Sequence, residues 1–179
     1  REITSGGLSI GFDEDMEYLS PLTQKVVRSV MAVPSSVARV PDMEACRNST
    51  MRALLQCRDL RVISVWNPSF LTTLMRHLPA GKQPLDLWPK LAMISCWTDG
   101  AASRFLPDLE DLFPGVPIQG KGLLATEGVV SVPLTGSRAP VPAITSHFLE
   151  FIEDGGRVRL VDELEEGKKY TVVQTTGGG

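Results

Sequence analysis

The residues best suited to chemistry in this chain stand together at Thr126-Glu127, a hydroxyl beside a carboxylate, bracketed by Gly120, Gly122 and Gly128. At a strand end such a pair can hold a phosphate and a Mg²⁺ ion together. The hydroxyl donates to a phosphate oxygen while the carboxylate ligates the metal. A turn residue beside a solvated glutamate is the plainer alternative for the same pair. The spacing Gly120-x-Gly122-x-x-Ala125 also satisfies a variant of the dinucleotide-binding fingerprint. That fingerprint requires a helix to follow, whereas Val129-Val130-Ser131-Val132 favours strand, and no acidic residue lies about 20 positions on to hold a ribose. A second candidate loop is Trp97-Thr98-Asp99-Gly100.

Other chemistries find no residues. Thr4-Ser5-Gly6-Gly7 and Thr175-Thr176-Gly177 lack the lysine and the spacing of a Walker A loop. No Gly-x-Ser-x-Gly elbow offers a serine nucleophile. Cys46, Cys57 and Cys96 are too widely spaced for a metal knuckle or a disulfide framework and read as buried thiols. His77 and His147 have no carboxylate or cysteine partner close in sequence. The acidic clusters Asp13-Glu14-Asp15 and Glu163 to Glu166 read as solvated surface. Trp66, Trp88 and Trp97 read first as core or interface; Trp97 alone, following a strand end, is placed to line a ligand pocket.

The elements that must position these residues alternate. Ser20-Pro21 is a cap and first-turn pair opening a helix with Leu22, Val26, Val30 and Met31 on one face. Asp42 caps a second helix, on which Met43, Cys46 or Arg47, Thr50, Met51, Leu54 and Leu55 recur at helical spacing. Arg61–Trp66 and Leu91–Cys96 are short, nearly continuous apolar runs, as expected of strands buried on both faces. Between them Asn67-Pro68 opens a helix that turns Phe70, Leu71, Leu74, Met75 and Leu78 inward, and a loop spans Pro79 to Pro84. Ala101–Phe113 is helical in pattern, with Pro107 expected to break or kink it. Val116–Gln119 is a third strand. This alternation predicts an α/β fold, a mostly parallel, doubly wound sheet with helices on both faces. Ligands of such sheets bind at the carboxyl ends of the strands. Beyond Gly128 the chain turns β-rich and partly antiparallel, with strands over Val129–Leu134, Thr145–Ile152, Val158–Val161 and Lys169–Gln174 and a turn at Asp154-Gly155-Gly156.

Composition sets the bounds. The chain has 179 residues, 42% hydrophobic and 22% charged, which is enough for one domain with a core. A net charge of −3 with no basic run argues against nucleic acid as a partner. No apolar stretch approaches a membrane span and no signal-peptide pattern opens the chain, so a cytoplasmic protein is expected. The first residue is Arg1 and the last are Thr-Thr-Gly-Gly-Gly after a strand, so the expectation is a single domain or a fragment of one.

A family resemblance sharpens these readings. Leu123-Leu124-Ala125-Thr126-Glu127 resembles the Tyr-Ala-Ser-Ser-Glu motif of the auxin-responsive acyl acid amido synthetases, members of the adenylate-forming superfamily. Trp88-Pro89-Lys90-Leu91 through Cys96-Trp97-Thr98-Asp99-Gly100 is similar to that family's Trp-Pro-strand-Thr-Gly segment, and Leu106-Pro107-Asp108-Leu109 to the family's next stretch of chain. Asn67-Pro68-Ser69 resembles an Asp-Pro-Ser before a helix. Leu160-Val161-Asp162-Glu163-Leu164, then Gly167 and Tyr170 to Thr176, resembles the approach to its third motif. The likeness runs from about Val62 to Gly179.

The resemblance implies ATP and Mg²⁺ as cofactors and a small carboxylic acid, with an amino acid as a further substrate. Residue by residue it implies that Glu127 ligates Mg²⁺ and Thr126 touches the α-phosphate of an acyl-adenylate. Thr98, Gly100 and Ala101 would line the loop beside the adenine or the acyl group, and Gly122, Leu123, Leu124 and Ala125 would pass the base. Met51 and its neighbours on the Asp42–Cys57 helix would sit near the acyl pocket; Trp97, from its place after a strand end, is the other substrate-binding candidate. It also implies a central piece of the large N-terminal adenylation domain, with the phosphate loop upstream of Arg1 and the ribose-binding Asp and small C-terminal domain beyond Gly179. Two positions depart from the motif. Leu123 replaces an aromatic that stacks on adenine, and Ala125 replaces a serine. A non-catalytic small-molecule or nucleotide-binding domain on the same scaffold is the alternative.

Overall fold

A computed structural model of the chain describes residues 20–134, 136, 137 and 139–177, together with the backbone of two short paired strands, β1 (Glu2–Ile3) and β2 (Ser9–Ile10). Next in chain order come α1 (Pro21–Val30), a 3₁₀ turn at Ser35–Arg39, α2 (Met43–Gln56), β3 (Val62–Ser64), α3 (Pro68–Met75), α4 (Pro84–Leu87) and β4 (Met93–Cys96). A 3₁₀ segment, Gly100–Phe105, leads into α5 (Leu106–Leu112) and β5 (Ile118–Gly120). The rest is β-rich: β6 (Leu124–Ala125), β7 (Gly128–Val129), β8 (Ser131–Val132), β9 (Val141–Pro142), β10 (Phe148–Ile152), β11 (Val158–Arg159) and β12 (Thr171–Thr175). The chain divides into two compact units, one of residues 1–60 and 74–90, the other of residues 61–73 and 91–179. Residues 4–7 and 13–15, singled out in the sequence, lie outside the described residues, and no described helix is long and apolar enough to cross a membrane.

In the first unit both expected caps form. Ser20 Oγ accepts from the Thr23 amide at 3.3 Å and Asp42 Oδ1 from the Ala45 amide at 2.7 Å, each satisfying an N–H that the helix leaves unpaired. The apolar stripe Leu22, Val26 and Val30 on α1 is solvent-exposed, so its periodicity made the helix without making core. On α2 the buried set is Thr50, Met51 and Leu54. Trp88 is fully buried, and its indole N–H donates to the Leu54 carbonyl at 3.0 Å, which answers the one polar atom that burial would otherwise strand. Asp59 pairs with Lys90. His77 Nδ1 lies 3.1 Å from Asn48 Oδ1 and 3.7 Å from a Glu44 carboxylate oxygen, an ordinary surface set.

In the second unit β3, β4 and β5 form a parallel sheet in that order, with Ile63 opposite Ile94 and Ile94 opposite Ile118. Burial falls on one face: Ile63 and Ile94 are buried, but Val62 and Ser64 on β3 are exposed. The expectation of strands buried on both faces is not met, since a surface position tolerates an apolar side chain such as Val62. The three strands follow chain order, so the order reversal of a doubly wound sheet is not seen among the described residues. The helical pattern over Ala101–Phe113 divides rather than kinks. Its first half is 3₁₀ and Pro107 stands in the first turn of α5, where its missing N–H costs nothing and its fixed φ suits the start. α4 lies in the segment read as loop and the connection before β4. Asp86 accepts from the Gln83 amide at 3.1 Å, a local stop-and-start signal too short for periodicity to reveal.

The β-rich half is antiparallel, as expected. β10 is central, with β11 and β12 on either side, and Leu149 and Phe151 are its buried residues. Its turn at Asp154-Gly155-Gly156 holds both glycines at positive φ. β6 pairs with β7 and β8 with β9 as two small antiparallel ladders.

Candidate functional site

The carboxyl ends of the three parallel strands bring together Ser64-Val65-Trp66, Cys96-Trp97-Thr98-Asp99 and Gly120-Lys121-Gly122. The ladder extends past β3 and β4, since Val65 N–H donates to the Ser95 carbonyl at 2.9 Å and Trp97 N–H to the Trp66 carbonyl at 2.8 Å. Trp66 therefore lies beside Trp97. Gly120 sits opposite Cys96, and a Cβ there would stand 2.5 Å from Thr98 Oγ1, so a glycine is what lets the Thr98 hydroxyl reach over β5. Thr98 Oγ1 donates to Asp99 Oδ2 at 3.3 Å. Thr98 and Asp99 line an open cleft of about 620 Å³ with Ile118, Gln119, Gly120 and Pro133.

Gly122 is held at φ +72°, and a Cβ on it would run into the Ser131 carbonyl oxygen. That close approach docks the next segment. The Leu123 amide donates to Ser131 Oγ at 2.8 Å, and the Val130 and Ser131 amides donate to the Leu123 carbonyl at 3.0 and 3.1 Å. Leu123 itself is half exposed. The chain then makes the β6–β7 hairpin, in which Ala125 pairs with Gly128 and Thr126-Glu127 are the two residues of its tip, both exposed. Gly128 supports the tip from below: a Cβ on it would meet the Gln174 amide nitrogen and stand 2.5 Å from His147 Nε2. The Gln174 side-chain amide is buried there with no hydrogen-bond partner among the described residues.

The sequence-derived residues fall in three places. Thr98 and Trp97 stand at the strand ends, with Gly100 (φ +58°) and Ala101 opening the 3₁₀ segment beyond them. Gly122 to Glu127 form the docked segment and hairpin. Met51 lies in the core of the first unit, 3% exposed. Among the described residues no group of three His, Cys, Asp or Glu is placed to hold a metal by itself.

Sequence reasoning passed over Lys121 and assigned Trp66 to core or interface. Trp66 is 48% exposed and Trp97 38%, their ring centroids 5.6 Å apart and their planes tilted by 47°. Lys121 Nζ lies 5.2 Å from the Trp66 ring centroid and donates to Ser64 Oγ at 2.8 Å. Burial pulls the Lys121 ammonium below the usual lysine range, with the neighbouring Cys96 opposing, and burial pushes the Cys96 thiol up. The available signal was positional: Trp66 ends the apolar run Arg61–Trp66, and Lys121 comes two residues after the Val116–Gln119 strand.

Comparison with known proteins adds the fold. No family model matches the chain, and no curated protein sequence does. Solved structures do match in fold. The chain is similar to GH3.15 acyl acid amido synthetase, with a TM-score of 0.66 and 16% identity over 83% of this chain and 37% of that one. It is also similar to AtGH3.15 acyl acid amido synthetase in complex with 2,4-DB, with a TM-score of 0.59 and 17% identity over 73% of this chain and 33% of that one. The chain thus spans about a third of the length of the solved proteins it resembles, and it shares their fold over that third.

Proposed function

We propose that the chain is a central part of an ATP- and Mg²⁺-dependent adenylate-forming enzyme. The enzyme activates a small carboxylic acid as its acyl-AMP and passes the acyl group to an amine, with an amino acid as acceptor, in the cytoplasm. One observation carries this reading: the shared fold covers 83% of the chain, and the motif resemblance falls on the hairpin and loops at the carboxyl ends of its parallel strands.

The residues suit the group. Mg²⁺ binds through one or two carboxylates with phosphate oxygens and water completing its shell, so the single exposed carboxylate of Glu127 is a sufficient protein ligand. When bound, the metal neutralises charge on the nucleotide phosphates. Thr126 donates its hydroxyl to the α-phosphate from the same hairpin tip. Gly122, Leu123, Leu124 and Ala125 pass the base. Thr98, Gly100 and Ala101 border the nucleotide and acyl groups, and Trp97 belongs to the acyl side. The chain's contribution is positioning and fixed dipoles, which lower the barrier to carboxylate attack at phosphorus.

ATP–pyrophosphate exchange in the parent polypeptide, over a panel of aromatic and aliphatic carboxylic acids, tests the reading. Acid-dependent exchange that collapses in Glu127→Ala supports both reaction and site; exchange indifferent to that change removes Glu127 from the site. Leu123 in place of a stacking aromatic favours the second reading, a binding domain without chemistry. Nucleotide binding with no exchange under any acid would select it.

A further inference from the structure

We propose that Gln174 is a positioning residue: its side-chain amide, unbonded in this structure, fastens the β6–β7 hairpin when Thr126 and Glu127 engage a metal-bound nucleotide phosphate. The inference rests on the adenylation reading and gives a role to a residue to which the motif resemblance assigns none. In the β10–β12 pair Gln174 stands opposite Leu149 and Val172 opposite Phe151, and opposite residues share a face of the sheet. Leu149 and Phe151 are buried, so Gln174 turns inward among apolar neighbours. Its amide oxygen and nitrogen are both buried, and neither has a hydrogen-bond partner among the described residues. An unbonded buried amide keeps the full cost of losing water, and a methionine of similar size would fill the place without it. Such groups are rare in native proteins, and each calls for a partner.

The amide is aimed at the hairpin. Its nitrogen and His147 Nε2 occupy the ground beneath Gly128, which no side chain could share. A backbone carbonyl accepts through two lone pairs, so a tip carbonyl already used in the β6–β7 ladder can still take a bond from Gln174. The tip is not set by its own turn. Two-residue hairpins favour turns with a positive φ at the first tip residue, here Thr126, whereas among the described residues every positive φ belongs to a glycine. The ladder behind the tip is two residue pairs long. The bonds among Leu123, Val130 and Ser131 anchor the base of the hairpin and reach no further toward the tip. A shift of the tip toward β12 completes the Gln174 bond and fixes how Thr126 and Glu127 present their oxygens. A ligand held by both side chains favours that position over the unfastened one.

Hydrogen exchange of the hairpin segment in the parent polypeptide, with and without saturating ATP and Mg²⁺, tests the fastening. Without nucleotide, Gln174→Met is expected to exchange like the unsubstituted protein and to melt no lower, since the amide has no bond to lose. With nucleotide, the unsubstituted hairpin should exchange about 5-fold more slowly than that of Gln174→Met, the effect of one hydrogen bond. In ATP–pyrophosphate exchange Gln174→Met should raise the KM for ATP about 5-fold and leave kcat within about 2-fold, as when a bond made equally in ground and transition states is lost. Gln174→Asn keeps the amide and drops one methylene, so it should melt lower yet hold KM within about 2-fold. A residue that only filled space would give the reverse order, with methionine tolerated in both assays and asparagine impaired in both. That order, equal protection of Gln174→Met and the unsubstituted protein at saturation, or a lower melting temperature of Gln174→Met without nucleotide would overturn the proposal. An unsubstituted hairpin indifferent to ATP and Mg²⁺ would instead overturn the adenylation reading, and the proposal with it.

Discussion

Glu127 and Lys121 illustrate two ways in which a charged residue sits near a site. Glu127 is at a hairpin tip in full contact with water, so its removal has little folded structure to disturb. Glu127→Ala is expected to change stability by no more than about 0.5 kcal/mol, while exchange activity of the parent polypeptide falls by about 100-fold. A loss of stability matching the loss of activity would show a structural role instead. Lys121 is partly desolvated, and its lowered value means that the ammonium is less favourable in the folded than in the unfolded state. At pH 7 it is protonated in both states, so that cost is fully present, and it is relieved as pH rises through the lowered folded value. Lys121→Met is therefore expected to melt no lower than the parent at pH 7, with any advantage shrinking as pH rises through that lowered value. A lower melting temperature at pH 7 would mean that the Ser64 and Trp66 contacts outweigh desolvation.

The elements around the site depend on close backbone approach more than on side-chain packing. Gly122 occupies the left-handed region and abuts the Ser131 carbonyl, so any side chain there is strained twice over. Gly122→Ala should cost about 2 kcal/mol and loosen the β6–β7 hairpin, measurable by denaturant unfolding and by faster amide exchange at Leu123 and Val130. Unchanged exchange at those amides would mean that the docking survives without the glycine. The helix caps act more locally. Asp42→Ala removes one accepted hydrogen bond at the start of α2 and should destabilise by about 1 kcal/mol. Pro107 was read as a break or kink and instead stands at a helix start, whereas both caps and the glycine turn after β10 were legible because each is a local event. The exposed face of α1 was not, since an apolar stripe at helical spacing specifies a helix but not what covers it.

Among the described residues, a linked set of ion pairs joins β11 to the loop before β12. Arg159 Nε donates to Glu153 Oε1 at 2.8 Å, and Lys168 pairs with Glu165 at 2.8 Å. The hydrogen bond and charge of Lys168 hold the Glu165 carboxyl below the usual range. A depressed carboxyl contributes stability that is present above its unfolded value and lost as pH falls through its folded one. Melting temperature should thus decline on acidification below about pH 4.5, and Glu165→Gln should flatten that decline slightly, the effect being small because the pair is exposed and screened. A slope unchanged by the substitution would show that the pair contributes nothing.

The sequence by itself determined the α/β alternation, the three short strands of the parallel sheet and the chemical character of Thr126-Glu127, because these depend on residue type and on periods of two or three to four residues. It did not determine strand order, which arises from pairing between segments 31 and 24 positions apart (Val62 with Met93, Ile94 with Ile118), and so the doubly wound expectation exceeded what local pattern contains. Thr126-Glu127 was read as a strand end or turn, and the hairpin that carries it was not foreseen, since two paired residues on each side leave no period to detect. Only the tertiary structure set Ser64, Trp66, Trp97 and Lys121 side by side. Parallel strands in register align their ends, and a lysine 57 positions from its serine partner has no local signal of that neighbour.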